Sequence, residues 1–233
     1  VSSNGRTATK TTKVAKKQLK RTPAGKTDVV EKITISAPNL KTVTFHIKGT
    51  APYVQNKFSQ KAQETMRQTQ AEGSTAKKGK KRAPKDFEAL FHGSYHQGID
   101  GAFGFPAAGL RAAMISACRS VGFKMTHGKQ FVFVEPDVFD TDGTALVKIT
   151  KGEPRHVEHA VRIQTTTDIR VRAMWDQGWE AKPRLTFDAD QFTTTDVANL
   201  LMRAGLQVGI GEGRHDSRSS AGCGWGTFEI VGL

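Results

Sequence analysis

Apolar and polar residues alternate along 41–48, with Val43, Phe45 and Ile47 on one side and Thr42, Thr44, His46 and Lys48 on the other. A period of two marks a half-buried strand, and Gly49 and Pro52 stop it. Residues 55–70 are polar apart from a thin stripe of Phe58, Ala62, Thr65 and Met66. That stripe predicts a helix leaning on a partner rather than on a core. Residues 73–84 read as a basic linker and 86–91 as a short helical turn. A glycine-rich turn at 98–105 delivers Pro106, which suits the first position of a helix. The helix is expected over 107–121, with Leu110, Met114, Ala117 and Val121 on one face and Gly122 ending it. Strands are expected at 131–134 and 145–150 around a turn at 140–143. Residues 154–159 read as a polar connection, and 160–175 as a long strand run with a kink near 165–167. Residues 183–189 read as a strand with Leu185 and Phe187 inward. Thr194 or Thr195 caps a helix carrying Val197, Leu200, Leu201 and Ala204, ended by Gly205. Strands at 206–210 and 227–231 flank a glycine-rich loop.

The order strand, helix, two or more strands, helix, strand is the β-α-β-β-α-β pattern of an α+β, ferredoxin-like (RRM-like) palm. Large insertions are expected at about 49–105 and within 135–182. Residues 1–32 hold almost nothing to bury and read as a basic N-terminal arm, leaving 33–233 as a single domain. The formal net charge is +13, and its location says more than its size. Residues 1–32 carry nine Lys or Arg against two acids, and residues 57–85 carry the same. The remainder is close to neutral. Two concentrated basic segments point to a polyanion partner.

The loop at 209–226 is the richest in chemistry. Six glycines flank a polar centre of Arg214, His215, Ser217, Arg218, Ser219 and Ser220. Glycine-rich backbone beside guanidinium groups is a plausible nest of N–H donors for phosphate. A hairpin loop with solvated charges is the alternative. Trp225 offers a stacking surface for a base or a plug for the core. Lys77, Lys78, Lys80, Lys81 and Arg82 offer sequence-independent attraction to phosphates, or a solvated loop.

Cys118 and Cys223 are the only cysteines, so no disulfide framework or metal-ligand spacing is present. Cys118 suits the core. His156 and His159 with Glu153 and Glu158 have ligand chemistry, but a polar turn accounts for them. No metal and no cofactor is expected. No apolar run approaches a membrane span and the N-terminus is polar, which suggests a cytoplasmic protein without a membrane partner.

Two stretches together resemble the RAMP superfamily, the ferredoxin-like RNA-binding proteins of CRISPR systems. Phe105-Pro106-Ala107-Ala108-Gly109-Leu110-Arg111 is similar to the family's apolar–Pro–small–small–small–Leu–basic opening of its first helix. The loop closing on Gly224-Trp225-Gly226 is similar to the family's late glycine-rich loop. Ala107, Ala108 and Gly109 depart from the usual hydroxyl-bearing triplet. The likeness is strongest to the subunits that coat guide RNA as the backbone of Cascade-type complexes, and a phage or mobile-element relative would look the same. It implies a non-catalytic protein that oligomerises along single-stranded RNA, or DNA, in a prokaryotic cell, alone or with other effector subunits. It implies phosphates held at the helix start, where Arg111 lies one turn in, and at the loop by Arg214 and Arg218. On it, His46 on the polar face of the first strand is a candidate to face the nucleic acid, a solvated histidine being the alternative, and a thumb hairpin falls within 137–158 or 169–185. Some relatives cut RNA, with an aspartate or a histidine as the working group. Asp100 sits in a suitable loop for the first, although turn formation is the commoner job. His215 and His46 stand for the second. The alternatives are therefore an endoribonuclease of this fold and a phage single-strand DNA-binding or structural protein.

Overall fold

Two compact units divide the chain, Val1–Ser36 and Ala37–Leu233, and the fold described is that of the second. The structure, a computed structural model, describes residues 35–58, 64, 66–68, 71, 85–163, 166–217 and 222–232. The second unit is mixed α/β with antiparallel sheets. Its strands are β1 (Leu40–Thr44), β2 (Ile47–Gly49), β3 (Tyr53–Gln55), β4 (His96–Gln97), β5 (Phe103–Pro106), β6 (Val132–Glu135) and β7 (Val138–Phe139). They continue with β8 (Ala145–Lys151), β9 (Arg155–Ile163), β10 (Thr166–Trp175), β11 (Glu180–Ala181), β12 (Arg184–Asp188) and β13 (Phe228–Ile230). The α-helices among the described residues include α1 (Phe87–His92), α2 (Ala107–Ala117), α3 (Met125–Phe131) and α4 (Thr194–Arg203).

Three sheets have the orders β1-β12-β6, β3-β10-β9 and β13-β2-β11-β8-β5-β4, with β7 on β8. The first and third share chain segments, because β1 runs on into β2 and β11 into β12. Across those shared segments the order is β13, then β1 with β2, then β11 with β12, then β6 and the end of β8. Residues 136–148 loop out between the two last pieces. Helix α2 contacts β6 and β8, α4 contacts β13, and the two helices touch each other. Leu110 and Met114 of α2 and Val197 and Leu201 of α4 are fully buried, as are Leu185 and Phe187 of β12. The inward alternation expected of 41–48 and 183–189 is what fills this core. Cys118 is buried and Cys223 exposed.

Several elements differ from expectation. Gln55 ends strand β3 and is buried, so no helix begins there; residues 64, 66–68 and 71 are helical. Pro106 is the N-cap of α2 rather than its first residue. The run expected over 160–175 is not one kinked strand, and 154–159 is not merely a connection: β9 and β10 are two antiparallel strands in register, with Val171 opposite Glu158. The polar start of β9 reads as a connection in the sequence because its charges hide the period of two. Thr193, one residue earlier than expected, caps α4 in a reciprocal box with Asp196. Residues 206–210 are not a strand: α4 widens into a π-turn over Ala204–Val208. Gly205 does not stop the helix. It lets the helix approach β13, since a β-carbon there would stand 2.2 Å from Phe228 O. Among the described residues no helix is long and apolar enough to cross a membrane.

Candidate functional site

The start of α2 and the glycine-rich loop, far apart in the chain, meet at one cleft of about 530 Å³. Pro106, Gly109 and Leu110 form one wall. Ile210, Gly211, Glu212, Gly213, Arg214 and Ser217 form another. Tyr53, Gln55, Asn56, Lys57, His96 and Phe105 complete it.

At the helix wall, no side chain caps the first amides of α2 and no acid stands in its first turn. The partial positive charge of a helix N-terminus is therefore not offset there by a side chain. Gly109 keeps this wall open, the nearest atom to a β-carbon being Pro106 Cβ at 4.0 Å. Arg111 is used elsewhere. Its Nε donates to Val132 O at 2.9 Å, its Nη2 donates to Lys129 O, and its guanidinium sits 5.2 Å from the Phe133 ring centre. It ties α2 to α3 and β6 and does not line the cleft. The expectation that it touches phosphate gives way to this structural role.

The loop is stitched to its own protein. All six of its glycines are left-handed, with φ between +69° and +79°. Ile210 N donates to Gly226 O at 3.0 Å, Gly226 N to Pro52 O at 2.7 Å and Glu212 N to Val54 O at 2.9 Å. Cys223 N donates to Gly213 O at 2.7 Å. These amides are thus taken, and the nest expected of the loop backbone is not formed by them. Two ion pairs pin the loop. Arg172, only 10% exposed, forks onto Glu212, and Asp216 accepts from Arg119 Nη2 at 2.6 Å. The hydrogen bond from Ser116 is the main reason the Asp216 carboxyl sits below its usual range; burial opposes it and Arg119 adds to it. Trp225 lies against Gly213 and meets His159 of β9 in a tilted ring contact at 5.1 Å. It fastens the loop to the β9–β10 hairpin. What the loop turns outward is side chain: Arg214 and His215 are exposed, and Arg214 Nη1 donates to Gly211 O at 3.0 Å.

The third wall has no counterpart in the sequence motifs. Buried Gln55 donates to Gly104 O at 2.6 Å and accepts from His96 N at 2.7 Å, joining β3 to β4 and β5. Burial pushes the Tyr53 hydroxyl up, out of reach of ionisation near neutrality. Lys57 Nζ lies 2.6 Å from Asp140 Oδ2 and 3.3 Å from Asp142 Oδ2, and His96 Nδ1 lies 2.8 Å from the same Asp140 oxygen. Burial pushes the Asp140 carboxyl up, yet hydrogen bonds from Lys57 and His96 together outweigh it and hold it below the usual range. His96, Asp140 and Asp142 present ligand atoms within 4.8 Å of one another. The Lys57 ammonium already supplies positive charge at that point, so the cluster is an internal ion pair rather than a demand for a metal. Positions 57, 96 and 140 share no local pattern, and 57 falls within an expected helix.

Of the residues singled out from sequence, Arg214 and Ser217 line the cleft. His46 is hydrogen-bonded to Glu180 at 2.8 Å and lines no part of it. Asp100 pairs with Lys148 at 2.6 Å and accepts from Ala102 N at 3.1 Å, the arrangement of a turn aspartate rather than of a catalytic one. Lys77, Lys78, Lys80, Lys81, Arg82 and Arg218 lie outside the described residues. His156 and His159, three apart on β9, point to opposite faces, one onto Phe91 and the other onto Trp225. The two imidazoles therefore do not converge on one point.

No family model matches the chain, and no curated protein matches it. The functional reading therefore stands on the geometry of the cleft and on the motifs that meet there.

Proposed function

We propose that this protein binds single-stranded nucleic acid, RNA in the first instance, with phosphates lying in the cleft between the start of α2 and the glycine-rich loop. The observation that carries the reading is the meeting of the two motif-bearing segments in one cleft. Arg214 and an uncapped helix start stand there, while Lys57 is tied to Asp140 and Asp142 and the one lining carboxylate, Glu212, is tied to Arg172. Helix N-termini and guanidinium groups are general solutions to phosphate binding. The palm is read as ferredoxin-like, of the RAMP kind. Supporting this, the strand segments run β13, β1–β2, β11–β12, β6–β8, the antiparallel 4-1-3-2 order of a β-α-β-β-α-β chain. On this reading the protein is a non-catalytic coat that assembles with copies of itself along the strand, in a prokaryotic cell or as the product of a virus or mobile element.

The test is titration of a labelled oligonucleotide with two variants. Arg214→Ala removes a cation, and Gly109→Asp places a carboxylate at the helix start, where the space is open. An acid in a first turn favours the helix, so loss of affinity there is not loss of fold. Each variant is expected to bind about ten-fold more weakly or worse. Unchanged affinity in both removes the reading.

A ribonuclease of the same fold is the second reading. His96 lines the cleft while Asp140 holds its Nδ1, an arrangement that orients an imidazole for proton transfer. Labelled RNA incubated with and without magnesium separates the two, and intact RNA under both conditions eliminates cutting.

A further inference from the structure

His96 lines the cleft with one ring nitrogen committed and the other not. Its Nδ1 lies 2.8 Å from Asp140 Oδ2, and its backbone N donates to Gln55 Oε1 at 2.7 Å, so both ring and backbone are fixed. Nε2 has no hydrogen-bond partner among the described residues. Behind the ring, Asp140 and Asp142 share the single ammonium of Lys57, at 2.6 and 3.3 Å. Two carboxylates against one ammonium leave this wall with one negative charge while the imidazole is neutral, and with none once it is protonated. The other charged groups of the cleft stand on the loop: Glu212, tied to Arg172, and Arg214. Burial keeps the Tyr53 hydroxyl neutral beside them.

We infer that His96 is a phosphate ligand of this cleft and takes up a proton as nucleic acid binds, so that affinity rises as pH falls. The inference rests on the proposed function and adds to it a ligand and its regulation. Hydrogen-bond chemistry leads to it first. A neutral imidazole has one N–H, and donating it from Nδ1 to Asp140 leaves Nε2 an acceptor. A phosphate oxygen of a nucleic-acid strand only accepts, so the neutral ring offers it nothing. The imidazolium donates from both nitrogens and serves Asp140 and a phosphate together. Charge leads the same way, because the proton cancels the net negative charge of the wall behind. Imidazole is also the side chain whose ordinary titration falls between about pH 5 and 8. Proton and phosphate then favour each other's binding by the same factor.

The probe is an oligouridylate, which has no titrating group of its own near neutrality. Its affinity is measured from about pH 5 to about pH 8 at fixed ionic strength. Wild type is compared with His96→Asn, whose amide nitrogen takes the place of Nδ1 on Asp140, and thermal melts check folding. Wild type is expected to bind about ten-fold more tightly at the acid end, and His96→Asn to lose that gain. In wild type, the assigned ring resonances of His96 should titrate at a higher pH with the oligouridylate bound than without it. This second measurement needs no variant and decides the matter even if His96→Asn does not fold. A pH dependence that survives in His96→Asn assigns the proton to another histidine, such as exposed His215, and overturns the inference. So does a wild-type affinity level in pH, or a His96 titration that the RNA leaves unmoved. The phosphate cleft outlives each of these results. If wild type binds the probe at no pH, both readings fall.

Discussion

A β-carbon at Gly226 would stand 1.8 Å from Ile210 O, at a φ of +69° that other residues rarely adopt. The loop can close on β13 only because that atom is missing. Gly226→Ala is expected to cost about 3 kcal/mol or more, from steric overlap and backbone strain together, measured by denaturant unfolding. Arg111 gives the opposite lesson. Beside a glycine-rich helix start it looks like a phosphate ligand, but one step around the helix turns it toward Val132 O and Lys129 O. Arg111→Ala should therefore lower stability by about 2 kcal/mol as those hydrogen bonds disappear and leave nucleic-acid affinity unchanged. Arg214→Ala should do the reverse. The pair of variants separates the structural from the ligand-facing arginine in one melting and one binding measurement.

Among elements, the caps and turns around the core are the measurable parts. Thr193 accepts from Asp196 N while the Asp196 carboxylate accepts from Thr193 N. Thr193→Ala should cost about 1 kcal/mol in thermal unfolding, with little change in the cleft. The turn between β7 and β8 carries an acid-sensitive contribution. Asp142 is drawn from its ordinary 3.8 to about 2, first by the Thr144 hydrogen bond and further by Lys57, with burial opposing. A carboxyl lowered by folding stabilises fully above its unfolded value and ceases to do so as pH falls through its folded one. The melting temperature should thus drop between about pH 4 and about pH 2, and Asp142→Asn should flatten that drop. Elsewhere, a one-dimensional pattern misleads. The apolar residues of 206–210 alternate like a strand yet wind as a π-turn, because Gly205 lets α4 press against Phe228.

For the whole chain the decisive quantity is where charge sits. Residues 1–32 carry nine Lys or Arg, and the cleft is lined by residues of the unit Ala37–Leu233. Deleting residues 1–34 should leave the Arg214→Ala effect intact while reducing the salt dependence of binding. Each phosphate that the arm no longer neutralises should lower the slope of log affinity against log salt by about 0.7 for a single strand. A slope unchanged by the deletion would show that the arm takes no part.

Alternation of apolar residues makes β1, β2 and β12 legible in the sequence, and the 107–121 and 194–204 stripes locate the two packed helices. Those patterns are local, and burial on one face is enough to impose them. Glycines at 209–226 likewise announce a loop of left-handed backbone. Which of its atoms face outward is not written there. Amide partners at Pro52, Val54 and Gly213, and the grouping of Lys57, His96 and Asp140, depend on segments brought together only when the sheets close. Hydrogen bonds and ion pairs of that kind join positions with no common period, so they leave no trace along the chain and exist only in the folded molecule.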